Sequence, residues 1–166
     1  MEEISIQPMT ADSWTDVARI YESGIATKNA TFESRVPDWD SWSKAHRMDC
    51  RLIALIDDKI VGWVALSNVS SRCVYSGVAE VSIYVDTFNL GKGIGDRLMN
   101  ELIKESESNG IWTLKSGVFP ENTASIRLHE KHSFRIIGNQ ERIGKMDDTW
   151  RDVLLLERRS KNVGID

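Results

Sequence analysis

Residues 81–110 constrain the fold more than any other part of the chain. Val81-Ser82-Ile83-Tyr84-Val85 reads as a strand, and Asp86–Leu90 carries the chain out of it. Three alternate glycines follow in Gly91-Lys92-Gly93-Ile94-Gly95, with Asp96 next. Leu98, Met99, Leu102 and Ile103 then line one side of a helix that Gly110 terminates. Glycine tolerates positive φ and lets the backbone lie close to a ligand. The N–H groups at such a helix start, backed by the helix dipole, form an anion site suited to a pyrophosphate. A P-loop would need Ser or Thr after its lysine, and Lys92 is followed by Gly93. A dinucleotide fingerprint would place its third glycine at 96, where this chain has Asp. Taken alone, the segment is equally compatible with a glycine-rich helix start that binds nothing.

The rest of the chain can be read around this turn. A short strand at Ile4–Ile6 leads to Thr10, an N-cap for a helix whose face is Trp14, Val17, Ala18 and Tyr21. The polar stretch Thr27–Ser34, carrying Phe32, is a loop. Pro37 opens a second helix with Trp39, Trp42 and His46. Leu52–Ile56 and Ile60–Leu66, split by Asp57-Asp58-Lys59, form a hairpin. A long polar connection, Ser67–Gly77, precedes the strand Ala79–Val85. After the helix that Gly110 terminates come a strand at Thr113–Val118, a helix at Ser125–His132, and strands at Phe134–Ile137 and Val153–Glu157. The order β-α-α-β-β-β-α-β-α-β-β predicts the α/β class, a mixed sheet with helices on both faces.

The 166 residues fit one domain over 1–166, and 41% apolar with 28% charged residues is the balance of a water-soluble core. A net charge of −4 without a basic stripe argues against nucleic-acid binding. The start, Met1-Glu2-Glu3-Ile4, is acidic where a signal peptide needs positive charge, and no apolar run approaches the roughly 20 residues of a membrane span. Cys50 and Cys73 are too few for a disulfide scaffold and have no metal-type spacing. The expectation is a cytoplasmic protein without metal or membrane partner.

The glycine turn resembles motif A of the GNAT superfamily of N-acetyltransferases, Gln/Arg-x-x-Gly-x-Gly/Ala. Asn122-Thr123-Ala124-Ser125-Ile126-Arg127-Leu128-His129-Glu130-Lys131 resembles the second coenzyme A motif of that family, Asn-x-x-Ser/Ala-x-x-Leu-Tyr-x-Lys-x-Gly-Phe. The resemblance implies the GNAT acyl-CoA acyltransferase fold, with a mostly antiparallel central sheet, and acetyl-CoA as cosubstrate. It implies that Gly91, Lys92, Gly93, Ile94, Gly95 and Asp96 hold the diphosphate. It also implies that Ile83, Tyr84 and Val85 serve the pantetheine arm in a gap between two strands, and that Asn122 and Ser125 contact the cofactor. Two positions depart from the motifs: Leu90 stands at the Gln/Arg position, and Ser133 stands where Gly precedes the aromatic Phe134.

Acetyl transfer to an amine requires loss of a proton from the ammonium, a donor for the developing oxyanion, and departure of a thiolate. Glu80 begins the strand that leads to the turn, on the same side-chain parity as Ser82 and Tyr84. Its carboxylate could accept the ammonium proton, or could form an ordinary surface ion pair. Glu80-x-Ser82-x-Tyr84-Val85 is similar to the phosphinothricin N-acetyltransferase subfamily, which implies that Glu80 is the general base. His129 occupies the position of the superfamily's tyrosine acid; it is either a general acid or a packed core histidine.

The subfamily resemblance extends through Ala30-Thr31-Phe32-Glu33, Arg72 and Trp150-Arg151-Asp152. It implies acetylation of the α-amine of phosphinothricin, methionine sulfoximine or methionine sulfone, and a homodimer. Arg72 could grip a carboxylate or phosphinate bidentately. Phe32, Trp39 and Tyr75 could wall the aliphatic part. Solvated and core roles compete with these assignments. The alternative functions are a peptide or protein N-acetyltransferase and a non-catalytic acyl-CoA sensor.

Overall fold

The computed structural model describes residues 3–166; Met1 and Glu2, part of the acidic start, lie outside the described residues. Seven strands form one sheet in the order β1-β2-β3-β4-β5-β7-β6. They are β1 (Ser5–Pro8), β2 (Leu52–Ile56), β3 (Lys59–Asn68), β4 (Val78–Val85), β5 (Thr113–Val118), β6 (Arg135–Met146) and β7 (Thr149–Arg159). Helices α1 (Trp14–Ala26) and α2 (Trp39–Ala45) follow β1, α3 (Ile94–Ser108) follows β4, and α4 (Thr123–Lys131) follows β5. The element order is the one expected from the sequence. All neighbouring strands run antiparallel except β4 and β5.

Both sheet faces are covered, so β3 is buried almost throughout and its alternate residues feed two cores. Val64 and Leu66 join Leu98, Met99 and Leu102 of α3 on one face. Trp63 and Ala65 join Val17 and Ile20 of α1 and Trp42 of α2 on the other. Local caps fix where the helices start. Ser13 accepts from the Thr10 N–H ahead of α1, and the Asp38 carboxylate accepts from the Ser41 N–H at 2.8 Å to open α2. Asp57 and Asp58 both take positive φ in the β2–β3 turn, as do Asp147 and Asp148 in the β6–β7 turn, which gives the twist that tight hairpins need.

Two elements differ from the sequence expectation. The last two strands reach twelve and eleven residues, well beyond Phe134–Ile137 and Val153–Glu157. The first of them, β6, is exposed along most of its length, so no alternation of buried apolar side chains marks the hairpin. A register shift between Gln140 and Gly144, with Arg142 at φ 48°, breaks the period as well. Ser133, at the usual glycine position, takes φ 67° directly after α4, which is the conformation that glycine adopts there without cost.

Candidate active site

β4 and β5 pair over only three residues, Val78–Glu80 against Thr113–Lys115, and then part. Beyond that point β5 continues beside β7 and β4 beside β3, each without a partner on its inner edge. The opening holds a cavity of about 370 Å³, lined by residues 80–84 of β4, 116–118 of β5, part of the 30–33 loop and α4. Strand parity assigns its walls. Ala79, Val81, Ile83 and Val85 belong to the core under α3, whereas Tyr84 belongs to the aromatic cluster under α1 and α2. Glu80 and Ser82 share the parity of Tyr84. Glu80 therefore faces the opening from the α1 side, beside Lys115 in register on β5 and at the last residue before the strands part. His129 and Ser125 face it from the α4 side.

Tyr84 is fixed by its neighbours. Its ring stacks on Trp63 with centroids 4.8 Å apart and meets Tyr21 edge-on at 4.9 Å. Burial pushes its phenol well above the ordinary range, so it keeps its proton. Phe32 meets Phe119 edge-on at 4.9 Å, and both line the cavity.

His129 is 1% exposed. Its Nδ1 lies 2.7 Å from the Ser125 carbonyl oxygen, an atom that can only accept, so Nδ1 carries the proton. In the neutral ring Nε2 then carries a lone pair; it is buried and has no partner among the described residues. Burial is the largest effect on this imidazole and lowers its pKa, favouring the neutral form. Asn122 caps α4: its Oδ1 accepts from the Ser125 N–H at 3.2 Å, and its Nδ2 donates to the Asn29 carbonyl at 3.1 Å. Ser125 also lines the cavity.

The glycine turn lies at the other end of β4. Gly91 and Gly93 take φ 77° and 80°, and a Cβ on either would meet nothing within 4 Å, so backbone conformation and not space demands glycine. A Cβ on Gly95 would come within 3.1 Å of Leu128, so this glycine sets the approach of α3 to α4. The first backbone bond of α3 runs from the Arg97 N–H to the Gly93 carbonyl. The N–H groups of Ile94, Gly95 and Asp96 therefore have no partner within the helix. They belong to a second cavity of about 320 Å³, whose lining includes Val85, Leu90 and the turn glycines on one side and Arg127 and Lys131 of α4 on the other. Lys92 lies within the turn. The Ile94 side chain is buried in the core, which leaves only its backbone for a ligand. Asp96 would repel an anion here, but it accepts from Lys131 at 2.7 Å and His132 at 2.9 Å, and these partners hold its carboxyl below the usual range. N–H groups without a partner in the helix, the Arg127 guanidinium and an Asp96 carboxylate neutralised by Lys131 fit a diphosphate.

Three expected substrate residues lie apart from this arrangement. Arg72 and Tyr75 sit at an exposed turn, with the guanidinium 5.5 Å from the Tyr75 ring, and neither lines the cavity. Trp39 is stacked on Trp42 in the core under α1. Residues not singled out from sequence are Glu33, Phe119, Arg127 and Lys131. The last two were legible: four apart on one helix, they share a face.

The model of the acetyltransferase (GNAT) family matches residues 14–134. Bacillus subtilis (strain 168) YwnH, provisionally named a phosphinothricin acetyltransferase, is 31% identical over 147 residues, covering 86% of this chain and 90% of that one. An L-methionine sulfoximine/L-methionine sulfone acetyltransferase of Pseudomonas paraeruginosa (strain DSM 24068 / PA7) is 30% identical over 147 residues, covering 85% and 86%. A GNAT superfamily phosphinothricin acetyltransferase from Sinorhizobium meliloti, solved in complex with acetyl-CoA, superposes with a TM-score of 0.84 at 22% identity and covers 98% of this chain and 96% of that one. With motif, parted strands and sequence in agreement, the chain belongs to the acetyltransferase (GNAT) family, whose members use acetyl-CoA.

Proposed function

We propose that the protein transfers the acetyl group of acetyl-CoA to the α-amine of a small amino-acid-like substrate of the phosphinothricin, methionine sulfoximine or methionine sulfone type. The observation that carries this reading is the position of Glu80, at the point where β4 leaves β5 and the cavity opens. Acetyl-CoA supplies the activated acetyl group as a thioester. The N–H groups at the start of α3, with Arg127 and Lys131, hold its diphosphate, and the parted inner edge of β4 at Ile83–Val85 receives the pantetheine arm. Glu80 takes the ammonium proton, directly or through water, and so frees the lone pair for attack. The N–C bond forms, the C–S bond breaks, and the electron pair leaves on sulfur.

His129 has a smaller part in this account. A neutral ring whose only proton is committed to Ser125 cannot donate from Nε2 until it gains a second proton. The thiolate, with a thiol pKa of roughly 8.5 by analogy with cysteine, can leave before it is protonated. Phe32 and Phe119 form an apolar wall for the substrate. Arg72 would reach a substrate carboxylate only by turning from Tyr75 toward the cavity. The same reading takes the protein as a cytoplasmic homodimer; the exposed Ile136, Ile137, Ile143 and Trp150 on the β6–β7 hairpin support a covered face. Sedimentation tests that assembly.

The test of function is thiol release from acetyl-CoA with a panel of amines. Turnover with methionine sulfone or phosphinothricin is the expected result. Turnover with peptides alone, or coenzyme binding with no turnover, would contradict it.

A further inference from the structure

The loop between α1 and α2 supplies the cavity with Ala30, Thr31, Phe32 and Glu33, yet it contains no regular structure of its own. Something else must hold it. Three of the contacts that do so end on the β6–β7 hairpin. The Arg151 guanidinium of β7 donates to the Lys28 carbonyl at 2.7 Å and to the Asn29 Oδ1 at 3.3 Å. The Phe32 ring lies over Gly144 of β6, where a Cβ would come within 2.6 Å of its Cζ. Lys28, itself at φ 58°, pairs with Asp147 in the hairpin turn at 3.2 Å. Gly144 and Arg151 are directly opposite each other in the β6–β7 register. A single cross-strand pair thus holds the backbone at one end of the 28–32 segment and seats the aromatic ring at the other.

Arg151 is itself held on several sides. It pairs with Glu121 at 3.2 Å, lies 3.9 Å from the centre of the Phe119 ring, and its side chain is 13% exposed. Asn122 grips the same loop from α4 through the Asn29 carbonyl. Asn29 is therefore clamped between the hairpin and the helix that borders the coenzyme.

We propose that Arg151 is a positioning residue for the amine substrate: with Gly144 it mounts the 28–33 loop on the hairpin as the wall of the amine site. The proposal rests on the acetyltransferase reading above for the identity of that site. The planar fork of arginine suits two acceptors at once, which lysine's single ammonium cannot reproduce. Gly144 matters for a different reason, since a Cβ there would come within 2.6 Å of the Phe32 ring and force it to shift. A wall that binds substrate in ground and transition states alike registers in KM, with kcat unchanged.

The experiment compares wild type with Arg151→Ala, Arg151→Lys and Gly144→Ala. The first and last should each raise the KM for the amine about tenfold, with kcat at saturating amine and the acetyl-CoA Kd within about twofold of wild type. Arg151→Lys should recover part of the loss. Hydrogen exchange of amides 28–33 should quicken in both Arg151→Ala and Gly144→Ala, and this reading needs no substrate. Unchanged exchange, an unchanged KM, or a parallel loss of acetyl-CoA binding would each overturn the proposal. A wild type that turns over no amine would instead sink the function, leaving the exchange data to decide the mounting.

Discussion

Leu90 stands at the Gln/Arg position of the motif that the glycine turn resembles, and it is 64% exposed with no side-chain donor. Arg127 reaches the same cavity from α4, has no ion-pair partner among the described residues, and can take over that role. Arg127→Ala should weaken acetyl-CoA binding about tenfold, the scale of one charge-assisted hydrogen bond, and adding Leu90→Arg to that variant should restore most of it. Calorimetry on both variants checks this; full affinity in Arg127→Ala would leave the backbone as sole holder of the diphosphate. His129 makes a different kind of prediction. Burial lowers its pKa and that of His46, so both stay neutral in the fold where they would charge in the unfolded chain. Below about pH 6.5 the unfolded state binds the extra protons, so this stability is complete above that pH and is lost as pH falls. His129→Gln should flatten the slope of unfolding free energy between about pH 6.5 and 5. It should lower kcat less than tenfold, short of the losses expected for a general acid.

At the scale of elements, α1 is seated by one glycine. A Cβ on Gly24 would lie 2.6 Å from the Tyr84 ring, which in turn stacks on Trp63. Gly24→Ala gains helix propensity of about 1 kcal/mol and meets an overpacking cost of about 1–3 kcal/mol. Urea unfolding should show net destabilisation, and a stabilised variant would show that Tyr84 can yield. The elements legible in the sequence were those with a buried face: the β2–β3 hairpin, β5 and α3 were read to within a few residues, because burial on a fixed side forces period 2 or 3.6. The β6–β7 hairpin was read at less than half its length, because an exposed β6 and a bulge carry no period. Gly144 and Arg151 lie in that unread stretch, which is why a mount for the 28–33 loop could not be seen before the structure placed it.

For the molecule as a whole, the governing feature is a sheet that fails to close between β4 and β5. The glycine turn and the Asn122 motif were visible as sequence because they are local. The wall made of Phe32 and Phe119 was not, because it joins residues more than eighty positions apart. Glu80 was nameable only through its place ahead of the turn. The opening gives that place meaning, because Glu80 is the last residue of β4 paired with β5 before the cavity begins. The most direct test of this arrangement is the turnover rate of Glu80→Gln at pH 7 with the best amine of the panel, set beside its acetyl-CoA Kd. The account predicts a kcat lowered about a hundredfold or more with coenzyme affinity nearly unchanged; a kcat equal to wild type would contradict it.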